Sequence, residues 1–208
     1  MNKAILAAAA AALFVGAPAA LAQDAPMSFF VTSTGLGDGA NLGGLAGADA
    51  HCQQLAEAAG STGQTWMAYL SAEGTNARDR IGSGPWVNAA GVTIAASVDE
   101  LHSDATNVTK ETALTETGAV VNGRGDQPNQ HDILTGSSAD GTLAAGQTCG
   151  DWTLNGDGSA MVGHSDRMGL DDSAAAKSWN ASHGSRGCGQ EALIGTGGNG
   201  YFYCFAAK

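Results

Sequence analysis

The residues with the most chemistry to offer are four cysteines, Cys52, Cys149, Cys188 and Cys204. None forms a C-x-x-C pair, so a thiolate metal site or a redox dithiol is disfavoured and structural disulfides in an oxidising compartment are favoured. The five histidines (His51, His102, His131, His164 and His183) show no H-E-x-x-H or comparable ligand spacing. They read as surface or core imidazoles, and no metal is assigned to them. Gly163-His164-Ser165-Asp166-Arg167 echoes the G-x-S-x-G nucleophile elbow. Arg167 replaces the second glycine, where the strained turn tolerates no large side chain, and no catalytic residue is assigned. Asp157, Asp166 and Asp171 could serve a hydrolase only if two of them stood at a suitable separation, one with a raised pKa. Asn155-Gly156-Asp157-Gly158 lacks the rest of an EF-hand loop and reads as a turn. Arg124-Gly125-Asp126, after Asn122-Gly123, is the adhesion tripeptide that integrins recognise, and equally a solvated loop.

Around these residues the composition sets bounds. The chain has 208 residues, 43% of them hydrophobic, with 31 glycines and four tryptophans. That is enough apolar content for a packed core despite the glycine. Nine basic residues face 20 acidic ones, for a net charge of −11. Such a surface repels phosphate backbones, which excludes nucleic acid as a partner. Residues 1–22 read as an export signal: Lys3, an alanine-rich apolar stretch, then Ala20-Leu21-Ala22 as cleavage site. The stretch is too short and too interrupted, by Gly16 and Pro18, to span a membrane. Residues 23–208 are expected to form one domain, exported to the periplasm or the extracellular space.

The elements that would position the side chains follow from periodicity. Cys52, Leu55, Ala56 and Ala59 form one apolar stripe, which predicts a helix over residues 48–59 with Asp49 at its positive end and Gly60 as C-cap. A short second helix is expected over 75–81. Strands are expected at 29–32, 66–70, 131–134, 152–154 and 200–205, with a hairpin over 86–94. Residues 161–184 carry no clear pattern. One or two early helices followed by short strands is an α+β pattern with long loops.

A family likeness accompanies this order. Gly47-Ala48-Asp49 with Cys52-Gln53-Gln54 resembles the first-helix motif of endostatin, the C-terminal domain of certain collagens that recurs in bacterial exported proteins. Trp66-Met67-Ala68-Tyr69-Leu70-Ser71, Pro85-Trp86-Val87-Asn88, Leu134-Thr135-Gly136-Ser137, Gly141, Cys149 with Trp152, Cys188 and Tyr203-Cys204 resemble later family blocks in the same sequence. The resemblance covers about residues 29–205. It implies a C-type-lectin-like fold, mainly antiparallel, with nested disulfides Cys52–Cys204 and Cys149–Cys188. The histidines and arginines through which vertebrate endostatins bind zinc and heparin have no counterparts here. By analogy with sugar-binding C-type lectins, Gln127-Pro128-Asn129 and Trp179-Asn180 become candidate ligand contacts. Gln127, Asn129 and Asn180 are then possible calcium ligands, although Ala181 stands where an aspartate is expected. Trp179 is the tryptophan left for stacking on a ligand.

The expected function is a non-catalytic exported binding protein. It would recognise a glycan or an extracellular protein through Gly- and Asp-rich loops, with calcium as the one cofactor contemplated. A hydrolase on the same scaffold and a structural cell-envelope protein are the alternatives.

Overall fold

The computed structural model describes Met1 and residues 26–207. The expected export signal, residues 1–22, lies outside them apart from Met1. The fold is α+β, with few helices, short strands and two disulfides. No helix among the described residues is long and apolar enough to cross a membrane.

The organising element is the last strand, β8 (Gly198–Ala207). A strand sends successive side chains to opposite faces, and both faces of β8 are covered. Phe202, Cys204 and Ala206 enter one core with Phe30, Trp66, Leu134 and Val162. Tyr201, Tyr203 and Phe205 enter a second core with Phe29, Tyr69, Trp86 and Trp179. This is why the C-terminal run is almost continuously apolar. One edge of β8 pairs antiparallel with β1 (Phe29–Val31). The other edge pairs first with β5 (Asp132–Leu134), the parallel pair of the sheet, and then antiparallel with β2 (Thr65–Ala68). Beyond β5 the sheet continues through β6 (Met161–His164) to β7 (His183–Gly184), both antiparallel. A separate hairpin pairs β3 (Trp86–Val87) with β4 (Thr93–Ala95).

Helix α1 (Gly44–Ala58) buries Ala48, Cys52 and Ala56, a stripe at i, i+4 and i+8. It begins four residues before the sequence pattern predicts, because Gly43 and Gly44 take left-handed φ angles of 74° and 72° at its entry. Asp49 is therefore inside the helix. Its carboxylate accepts the Ala68 N–H at 2.8 Å and pairs with Arg80 at 2.6 Å, fastening α1 to β2. The expected second helix is a single 3-10 turn, Ala77–Asp79, and α2 is one turn at Val98–Leu101. No strand forms over residues 152–154. Instead α3 (Cys149–Trp152) has a left-handed backbone, with φ between 49° and 67° at all four residues. Each such residue costs about 1–2 kcal/mol unless glycine, so anchors must hold the turn. The Thr148 hydroxyl accepts the Asp151 N–H, the Trp152 indole donates to the Ser71 carbonyl at 2.8 Å, and Cys149 is disulfide-bonded. A short helix α4 (Gln190–Ile194) precedes β8.

Cys52 is bonded to Cys204 and Cys149 to Cys188, the pairing that the resemblance implies. The longer bridge ties α1 to β8 through the first core, and the shorter closes the segment that contains β6 and β7.

Candidate metal centre

The far edge of the sheet gathers three of the five histidines around one aspartate. In the β5–β6 register Asp132 stands directly opposite His164, so the two side chains share a face. His183 on β7 pairs with Val162, two residues along β6 and on that same face. His131 enters from the residue before β5, and its ring stacks on that of His164 with centroids 4.2 Å apart. This convergence requires β6 and β7 to approach a neighbouring backbone closely. At Gly163 a Cβ would lie 1.8 Å from the Trp179 carbonyl oxygen, so only glycine fits.

Asp132 is 2% exposed, and neither carboxylate oxygen accepts a well-formed hydrogen bond. His131 Nε2 lies 3.3 Å and His164 Nε2 3.4 Å from its Oδ1, and His183 Nε2 lies 3.5 Å from its Oδ2. The other ring nitrogens fix the tautomers. His164 Nδ1 meets the Ala176 carbonyl at 2.8 Å and His183 Nδ1 the Gly184 carbonyl at 3.1 Å. His131 Nδ1 meets Asp166 Oδ1 at 2.8 Å. A carbonyl or carboxylate oxygen can only accept, so each Nδ1 carries a hydrogen and each neutral ring turns an Nε2 lone pair towards Asp132. Three lone pairs facing a buried carboxylate repel one another unless positive charge lies between them. A proton on His183, which contact with Asp132 favours, would supply it, and so would a metal ion.

Burial opposes ionisation of Asp132, but the His164 and His183 imidazoles outweigh it and hold the carboxyl at about 2. Contact with Asp132 raises His183 against the opposing effect of its own burial. Three of these side chains could also hold a metal ion. His131 Nε2 and His164 Nε2 both face Asp132 Oδ1, at 3.3 and 3.4 Å, close to the roughly 3.4 Å between two ligands of a tetrahedral zinc ion. His183 faces the other oxygen at 3.5 Å and stands outside that group. The potential ligand atoms of His131, Asp132 and His164 all lie within 4.8 Å of each other. Imidazole-rich donors with one carboxylate suit zinc, copper, iron or nickel; calcium takes six to eight oxygens.

A second layer holds the ligands. Asp166 is buried, and burial raises its pKa. Its bond to His131 and its backbone donors, the Arg124 N–H at 2.6 Å and the Met168 N–H at 3.0 Å, bring it below the usual carboxylate range. A Cβ on Gly123 would lie 2.6 Å from Asp166 Oδ2, so the loop before Arg124 can close on this carboxylate only with glycine there. Carboxylate–histidine contacts of this kind orient metal ligands and raise their basicity. Above the centre lies a pocket of about 570 Å³, open to solvent, whose lining includes His131, His164, His183, Arg124, Asn129 and Arg186.

The residues singled out in the sequence are dispersed. Gln127 is exposed and Asn129 lines the metal pocket, whereas Trp179 and Asn180 line a different one. Trp179 is 4% exposed, with its indole N–H on the Leu101 carbonyl at 3.0 Å, so its ring is a core surface. The Asn180 amide donates to Tyr69 and to the Ser138 and Ala139 carbonyls, and its oxygen accepts from Ser178. Of the tripeptide, Arg124 and Gly125 are exposed, but the Asp126 carboxylate is engaged by Lys110 at 2.5 Å and the Gly123 N–H at 2.8 Å. Of the three aspartates considered for hydrolysis, Asp166 supports His131, Asp171 lies on the pocket rim and Asp157 is exposed without lining the pocket. His131 and His164 are buried, as core imidazoles would be, and with His183 they gather around Asp132, the kind of assembly in space that a zinc site would need. Linear spacing does not reveal them, because sheet register brings them together. The adjacent His131-Asp132 and the His164-x-Asp166 pattern were the available signals. The chain matches no family model and no curated protein.

Proposed function

We propose that this protein is an exported, non-catalytic binding domain of endostatin-like, C-type-lectin-like fold that holds one first-row transition-metal ion, zinc foremost, between His131, Asp132 and His164, with a fourth position open beside His183. The observation that carries the reading is the buried Asp132 carboxylate, without a well-formed hydrogen bond and faced by three Nε2 atoms at 3.3–3.5 Å. The nested disulfides and the single long helix on a mainly antiparallel sheet support the lectin-like assignment. The expected signal at residues 1–22 and the paired cysteines support export. The ion would anchor a glycan or extracellular protein reaching the pocket past the Gly- and Asp-rich segment 169–173. Nitrogen donors favour zinc there over calcium. Calcium at Gln127, Asn129 and Asn180 is the competing assignment.

Calorimetric titration of metal-stripped residues 23–208 tests this. Zinc is expected to bind one-to-one and to raise the melting temperature, because a ligand of the native state stabilises it. Calcium at millimolar concentration should do neither. His131→Ala and His164→Ala should abolish zinc binding in chains that circular dichroism shows to be folded, and Asp166→Asn should weaken it about 10–100-fold. A folded wild-type chain that binds no zinc would sink the proposal, as would histidine variants that bind it unchanged.

A second reading has one observation in its favour: the pocket is open above the centre, as catalytic zinc sites keep a position open for water. A zinc-dependent hydrolase on the same scaffold is therefore the alternative. Zinc-dependent turnover of ester and phosphoester substrates, lost in His164→Ala, would establish it in place of the binding role.

A further inference from the structure

We propose that the pocket above this centre takes a ligand with an oxyanion head group, carboxylate or phosphate, bound to the metal and clamped by Arg124 and Arg186; this rests on the metal reading above. The first observation is which cations are already engaged. Among the described residues, Arg78 and Arg80 pair with Asp99 and Asp49, and Lys110 and Lys177 with Asp126 and Asp172. Arg167 donates to the Lys177 and Thr106 carbonyls. Of the described Lys and Arg side chains, only those of Arg124 and Arg186 take no hydrogen-bonding or ionic partner, and both line the pocket above the centre. In a chain with 20 acidic residues, two unpaired guanidinium groups beside one cavity need an account.

The second observation is the local charge. A divalent ion at the centre would be neutralised by Asp132 and by Asp166 behind His131. The guanidinium charges of Arg124 and Arg186 remain. Asp171 on the rim offsets one of them in part, although its carboxylate is turned to the Ser173 N–H at 2.9 Å. With that ion bound the pocket would carry net positive charge in an acidic surface, which favours an anion there. Guanidinium groups match the geometry of carboxylate and phosphate oxygens with paired N–H donors, and an open metal position takes an oxygen ligand. Asn129, half-buried on the same wall, adds a neutral amide that can donate or accept.

The test uses the zinc-loaded chain of residues 23–208, with inorganic phosphate and succinate as separate probes. Bound zinc is quantified before and after each titration, so that stripping by the anion is not mistaken for binding. Zinc-loaded wild type is expected to bind at least one probe in the micromolar to millimolar range and the metal-free chain at least tenfold more weakly. Arg124→Ala/Arg186→Ala should bind zinc within about threefold of wild type and the anion at least tenfold more weakly. The tighter probe identifies the head group. Zinc binding without anion binding, or equal anion affinity in the double variant, overturns this inference alone. Failure of zinc to bind overturns the metal reading and this one with it.

Discussion

At the scale of single residues the chain uses its imidazoles in two opposite ways. His131, His164 and His183 converge where positive charge is needed. His102 is placed where charge is unwelcome: its Nδ1 meets the Val98 carbonyl at 2.7 Å and its Nε2 the Tyr69 hydroxyl at 2.7 Å. Burial, with help from the charge of Arg78, lowers its pKa below 6.5. The unfolded chain takes up a proton on this ring near pH 6.5 and the folded chain does so only at lower pH. The contribution of His102 to stability is therefore full above pH 6.5 and is lost as pH falls towards its folded value. Melting temperatures of the metal-free protein between pH 7.5 and 5.5 should show a steeper acid decline for wild type than for His102→Gln, which keeps a polar group facing Tyr69. Parallel curves would mean that the ring is not held neutral. Apart from the adjacent Asp132, the sequence around His131 does not set it apart from His102. The difference comes from the partners that the fold brings to each ring.

Among the elements, legibility followed length. Helix α1 and strand β8 were readable because each carries a pattern long enough to stand out: the stripe through Cys52, Leu55 and Ala56 in one, a nearly continuous apolar run in the other. Strands β6 and β7 have four and two residues, too few for alternation to register, and the segment around them is small and polar. Yet these two carry His164 and His183. Their short length does not make them permissive. Gly163→Ala would place a methyl group against the Trp179 carbonyl, and the strand would have to move away from it. We expect a loss of about 3 kcal/mol in urea unfolding, at the upper end for overpacking, with zinc affinity lowered in the surviving folded fraction. The left-handed turn α3 was misread as a strand for a related reason: Trp152 looks β-prone in isolation, but its conformation is set by a disulfide and a buried indole hydrogen bond from far along the chain.

At the scale of the whole molecule two cores lie back to back across β8, and the disulfides serve them unequally. The Cys52–Cys204 bridge spans 152 positions and the Cys149–Cys188 bridge 39. Loop-closure entropy credits them with about 5 and 4 kcal/mol respectively, against typical net stabilities of about 5–15 kcal/mol. Cys52→Ala should therefore unfold the chain or lower its melting temperature severely, and an unchanged transition by calorimetry would refute the role assigned to that bridge. The ring closed by Cys149 and Cys188 contains His164 and His183, whereas Asp132 on β5 and His131 just before it lie outside. An ion shared by His131, Asp132 and His164 would join a covalent ring to a strand it does not contain, a third closure that can be opened without breaking a bond. The supply of free metal in the surroundings would then set how firmly that ring is moored to the sheet, making the domain's compactness a gauge of the medium around it.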